Sequence, residues 1–120
     1  MAKISWAGLL ALLGLFLLWR RVGAAGGFHL VPGGNAFYYR GTPERGAPRD
    51  IMADLITNAP LAFQGLRHWD ATLGVWHFWD VGTPDYANDL KEVVAGEVYV
   101  IIMVAEYTWQ TDRWQPYPPV

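Results

Sequence analysis

Few side chains in this 120-residue sequence are equipped for catalysis. Histidine occurs at His29, His68 and His77, cysteine is absent, and the single serine is Ser5. Without thiols the chain can have no disulfide, thiolate nucleophile or cysteine-type zinc site. A histidine metal centre would require these three rings to converge with a carboxylate such as Asp70 or Asp80, and their spacing matches no established metal signature. Asp80, Asp85, Asp89 and Glu92 crowd one stretch and could offer oxygen ligands to calcium. The ordered ligand spacing of an EF-hand loop is missing, and Asp89 reads more simply as the cap of a short helical turn. A glycosidase pair of carboxylates would need a cleft for which so short a chain has little room. Gly26-Gly27 and Gly33-Gly34 lack the Lys-Ser/Thr that follows a phosphate-binding loop. The expectation is a non-enzymatic protein with no catalytic residue, cofactor or metal.

Aromatic residues are the more telling feature. Trp69, Trp76, Trp79, Trp109 and Trp114 all lie beyond residue 25. Broad flat side chains fill a thin core efficiently, so the expectation is burial, with Trp76 packed beside Leu55, Val100 and Ile102. If part of the Trp69/Trp76/Trp79 group is exposed, stacking on a sugar or a partner becomes the leading binding mode. With Lys3, Arg20 and Arg21 set aside, six basic residues face eleven acidic ones, a net of −5. That balance argues against nucleic acid as a partner.

The elements that must position these residues follow from patterning. Residues 28–31 and 36–40 read as strands separated by the turn signal Pro32-Gly33-Gly34. Pro48 suits the first turn of a helix in which Ile51, Met52, Leu55, Ile56 and Ala59 recur at helical spacing, ended by Asn58 and Pro60. Residues 61–69 and 75–80 flank a five-residue hairpin loop ending in Gly74; Trp76 and Phe78 face one way, Val75, His77 and Trp79 the other. Residues 89–94 read as one helical turn closed by Gly96. Residues 98–105, rich in β-branched side chains, read as a central strand covered on both faces, with residues 107–114 as an edge beside it. Residues 114–120 read as a Pro-rich extended tail with no means of pairing as an interior strand, expected to pack on a neighbouring subunit or on the domain's own exposed sheet edge. On a polyproline helix Trp114 and Tyr117 would share one side, making them the expected interaction pair.

Residues 4–19 form the most apolar run: only Ser5 is polar, and leucine fills seven positions. As a helix this run covers roughly 24 Å, and extending it over residues 2–25 spans a bilayer core of ~30 Å if Lys3, Arg20 and Arg21 snorkel. Trp6 and Trp19 would mark the two interfaces, Leu9, Leu13 and Phe16 would face lipid, and Arg20 and Arg21 would flank the span. Two arginines stand where a signal-peptidase site would need small residues, so the segment reads as a retained anchor. The expected organisation is a transmembrane anchor and linker over residues 1–25, a small domain over 26–113 and a tail over 114–120. The expected fold class is α+β, a single transmembrane helix followed by a small antiparallel sheet with one covering helix.

Gly27-Phe28-His29-Leu30-Val31-Pro32, Gly74-Val75-Trp76, Asn88-Asp89-Leu90 and Gly96-Glu97-Val98-Tyr99-Val100-Ile101 stand in one order along the chain. That series resembles small β-rich modules of bacterial surface and secreted proteins, which open on Gly-Trp-Asn-Leu-Val and continue through Asn-Asp-Leu to Gly-x-x-Tyr-Trp-Ile. The resemblance implies a compact adhesive or spacer module outside the cytoplasm and no catalytic residue. The functional expectation is a single-pass membrane protein presenting a structural or interaction domain within a larger assembly, a cell-envelope complex or a membrane-containing virion. Its partners would be the lipid membrane and other protein subunits. The alternative is a membrane-displayed module binding a glycan or a peptide. The two arginines favour a cytoplasmic domain and the resemblance an outward one; the reading leans outward or virion-associated.

Overall fold

The computed structural model describes residues 27–118. Among them nine strands and two short helices follow in the order β1 (Phe28–Leu30), β2 (Gly33–Tyr39), β3 (Arg45–Gly46), α1 (Pro48–Ile51), α2 (Ala53–Asn58), β4 (Phe63–Asp70), β5 (Val75–Asp80), β6 (Val93–Val94), β7 (Val98–Met103), β8 (Tyr107–Trp109) and β9 (Trp114–Pro116). A single 3-10 turn, Asp85–Ala87, interrupts the connection from β5 to β6. The main sheet runs β5-β4-β7-β2-β9, with every neighbouring pair antiparallel. Two small ribbons, β1-β8 and β3-β6, complete the domain.

This architecture is mainly β, which corrects the expected α+β class. The helical spacing around Pro48 is present, but Met52 leaves helical geometry and splits the segment into helices of four and six residues. Among the described residues no helix is long and apolar enough to cross a membrane. The longest of them, at six residues, rises only ~9 Å against a hydrocarbon core of ~30 Å. The anchor expected over residues 1–25, with Trp6, Leu9, Leu13, Phe16, Trp19, Arg20 and Arg21, falls outside the described residues. The single-pass membrane placement thus has no support among the described residues.

One face of the main sheet carries the core. Period-2 alternation sends Tyr99, Ile101 and Met103 of β7 to that face together with Phe37 and Tyr39 of β2, Leu66 of β4 and Trp79 of β5, all buried. Ile51, Met52 and Leu55 cover them from the two helices, while Leu30, Trp109 and Val93 close the layer from the two ribbons. Asp54 accepts the Trp109 indole N–H at 2.7 Å and fixes α2 to β8. Tyr39, Tyr99, Trp109 and Trp114 pack ring against ring at 4.8–5.8 Å.

Several local expectations change. Val100 and Ile102 lie on the opposite face of β7, half-buried, so among the described residues the central strand is covered on one face only. Trp76 leaves the expected core for the same reason: the partition of β5 into two faces holds, but Trp79 rather than Trp76 points inward. Residues 107–109 pair with β1, not beside β7. Residues 89–92 form no helical turn; Leu90 donates its N–H to the Phe78 carbonyl at 3.0 Å and lies along β5. Of the two places expected for the tail, its start takes the domain's own sheet edge, and does so as a strand: β9 pairs with β2 through Tyr39↔Trp114 and Phe37↔Pro116. Proline is tolerated there because β9 is the sheet's edge.

Candidate functional site

The β4–β5 hairpin builds the most distinctive surface. Gly74 adopts φ +67 and donates to the Asp70 carbonyl, closing the loop, while the Asp70 carboxylate receives the N–H groups of Thr72 and Leu73. The resulting register places Trp69 opposite Trp76 and Arg67 opposite Phe78. Trp69, Trp76 and Phe78 are 46, 53 and 39 % exposed, high values for such large apolar side chains. The two indoles meet edge-on, with centroids 5.3 Å apart and planes at 61°. Arg67 lies 5.6 Å from the Phe78 ring centre and bonds Asp80 at 2.8 Å.

The next strands extend this face. Arg67 is level with Val100 of β7, which in turn pairs with Ala36 of β2; Ile102 pairs with Gly34, and Val98 with Tyr38. An open groove lined by Arg67, Trp76 and Val100 crosses it. Both helices and both ribbons send their buried side chains to the other side of the sheet. Of the strand residues pointing outward on this face, only Arg67 and Asp80 are charged, and they neutralise each other.

The core-side end of the same hairpin holds the titratable groups. His77 lies between two carboxylates, with Nε2 2.9 Å from Asp70 and Nδ1 2.9 Å from Asp89. The hydrogen bond to Asp70, then that to Asp89, raises the His77 pKa above its ordinary 6.5. The same bond to His77 comes first in lowering the Asp70 pKa. Burial alone would raise the Asp89 pKa; the Phe78 amide and His77 outweigh it, and the net direction is down. His68 stands directly across from His77, stacks on Tyr99 at 4.8 Å and contacts Glu97 at 2.8 Å. The phenol of Tyr99, desolvated by burial, has its pKa pushed up to about 12 while it accepts the Val94 N–H.

The other sequence candidates are dispersed. His29 sits at 3.4 Å from Glu106, on the β1–β8 ribbon, away from His68 and His77. Asp80, Asp85, Asp89 and Glu92 each face a basic side chain of their own, Arg67, Arg49, His77 and Arg45 respectively. Among the described residues no group of three metal-ligating side chains is placed to hold a metal. Arg49 forks onto Asp85 at 2.9 and 3.2 Å above the Trp79 ring, beside a recess of about 70 Å³. That volume falls well below the ~300 Å³ at which small-molecule sites begin.

Of the expected interaction pair, Trp114 is 1 % exposed and belongs to the domain's own core, whereas Tyr117 is half exposed. Trp114 therefore has no surface to offer a partner. The residues that sequence reasoning assigns to the wrong side are Trp76, Val100 and Ile102. The signal that could have placed them is that residues 27–118 contain a single helical segment to cover so broad an apolar sheet. Asn88-Asp89-Leu90 is a strap along β5. Asn88, 1 % exposed, accepts the Asp80 N–H at 2.9 Å, and Asp89 accepts that of Phe78 at 2.7 Å. No protein family, curated protein or solved structure matches this chain.

Proposed function

We propose that this chain is a non-catalytic interaction subunit that docks a protein partner on the outer face of its main sheet. The observation that carries the reading is the outward exposure of Trp69, Trp76 and Phe78 beside the half-buried Val100 and Ile102, on a face whose two charges are paired. Aromatic residues and arginine dominate the binding energy of protein interfaces, and a contiguous apolar patch left in water is costly without a partner. The resemblance of Gly74-Val75-Trp76 and its companion motifs to surface and secreted modules supports the same reading.

A glycan is the second reading, favoured by the open groove beside Trp76. Sugar recognition needs polar groups flanking the ring, and the charged groups beside these aromatics, Arg67 and Asp80, are engaged with each other. The crossed planes of Trp69 and Trp76 also give no continuous stacking floor. A protein partner fits better. The test places a benzophenone amino acid at position 76 of the full chain in its native cells, and at position 61 as a control. Mass spectrometry should identify one discrete protein adduct at 76 and none at 61. Adducts to polysaccharide alone at 76 would replace the protein reading with the glycan one.

A further inference from the structure

We infer that the apex of the β4–β5 hairpin dips into the interface of an electrically neutral lipid surface. The inference goes beyond the docking face: it concerns the residues that project past the last row of that face, and it involves no membrane-spanning segment.

The argument begins with the two sides of the hairpin. Trp69 and Trp76 stand on its outer side, about half exposed. Val75 belongs by alternation to the core side, yet it is 42 % exposed, and Leu73 at the apex is 68 % exposed. The projection is therefore apolar on both sides and at its end. A protein seated on the outer face would cover the indoles and leave Val75 and Leu73 in water. A lipid interface surrounds the whole projection.

Polar groups point the same way. A segment that enters lipid must satisfy its backbone and its charges from within. Here the N–H groups of Thr72 and Leu73 donate to the Asp70 carboxylate, and that of Gly74 donates to the Asp70 carbonyl. From Trp69 to Trp76 the one ionisable residue is Asp70, and its second oxygen meets His77 Nε2 at 2.9 Å. No lysine or arginine lies in that stretch, and beyond residue 25 six basic residues face eleven acidic ones. Attraction to anionic headgroups is thus absent, which selects a zwitterionic surface.

Depth follows from the ladder. Trp69↔Trp76 is the rung next to the last, and Arg67↔Phe78 lies two residues further back. At ~3.3 Å per residue the indoles stand roughly 7 Å behind the apex and Phe78 roughly 13 Å behind it. Interfacial apolar segments sink ~5–10 Å, so Leu73 reaches the upper acyl chains and the indoles stop at headgroup level, where tryptophan is enriched. Phe78, Arg67 and Val100 stay in water and remain free for a protein partner, with Trp69 and Trp76 at the boundary of the two contacts. So few inserted side chains make a weak, reversible contact.

The experiment uses the full-length chain, which has no native cysteine. A solvatochromic dye is attached to Leu73→Cys at the apex or to Leu61→Cys, exposed at the opposite end of the hairpin, and phosphatidylcholine vesicles are added. Emission from position 73 should shift to the blue and be quenched by nitroxides on the upper acyl chains, while emission from position 61 stays that of water. Adding Trp76→Asp or, separately, Ala71→Asp should raise the lipid concentration at half-maximal shift at least tenfold, with far-ultraviolet dichroism unchanged. Emission at 73 that stays that of water, equal shifts at both positions, or a midpoint untouched by either substitution would each overturn the inference. So would a benzophenone at position 73 that yields a single protein adduct in the native cells, which would mean that a protein pocket encloses the apex. A blue shift at 73 without a protein adduct at 76 removes the protein-contact reading and leaves this inference standing. A protein adduct at 76 with the dye at 73 still in water does the reverse.

Discussion

Both ring nitrogens of His77 face carboxylates, an arrangement that suits an imidazolium donating two hydrogen bonds. Its folded pKa is raised, first by Asp70 and then by Asp89, so its contribution to stability is complete below the ordinary value of 6.5 and is lost as pH rises through the folded value. The Asp70 pKa is lowered, so its contribution is present above 3.8 and is lost as pH falls through the folded value. The two overlap between those limits. The gap in melting temperature between the parent chain and His77→Gln should be widest near pH ~5 and shrink toward pH ~9 and pH ~2. A gap independent of pH would mean that the ring acts only by packing. Two tryptophans of one hairpin give a second residue-scale contrast. Trp79→Ala empties a buried site and should cost about 3–5 kcal/mol in denaturant unfolding, while Trp76→Ala, half exposed, should cost less than about 1 kcal/mol. Comparable losses would return Trp76 to the core.

At the scale of elements, two short segments hold more than their length suggests. Asn88 sits buried with its amide on the Asp80, Thr83 and Pro84 carbonyls, so Asn88→Ala leaves those groups and the Asp80 N–H short of partners. About 1–3 kcal/mol of stability should go with it, read by chemical denaturation. β9 supplies Trp114 to the aromatic cluster, and truncation after Arg113 should cost at least the ~3–5 kcal/mol of a deleted core aromatic. A truncated chain that unfolds with the parent's midpoint would refute β9 as a core strand. Alternation along residues 75–80 is enough to separate Trp76 and Phe78 from His77 and Trp79. It cannot say which set faces inward, because both sets carry aromatics and the deciding partner, the two helices, comes from elsewhere in the chain. The strap at Asn88-Asp89-Leu90 reads as helix in the sequence because its order comes from side chains bonded to β5, which leave no periodicity. Pro116 hides β9, since a proline speaks against a strand except at an edge, and the edge is a property of the assembled sheet.

Across the whole molecule, the hairpin and the helical segment are legible because their signals are local, whereas the sheet order is not. Among the described residues only β4 and β5 pair with a chain neighbour across a short loop. β1 waits for β8, and β2 waits for β7 and β9, matching Gly33 with Met103 and Tyr39 with Trp114. During synthesis, then, the first half of the domain emerges with no strand to pair with, and the hairpin is the first strand pair that can form. Non-local pairing of this kind belongs to domains that fold in milliseconds to seconds, not microseconds. A nascent chain stopped short of Trp114 would leave Tyr39, Tyr99 and Trp109 without the ring they pack against, and chaperone dependence should fall away only when the last strand has been made.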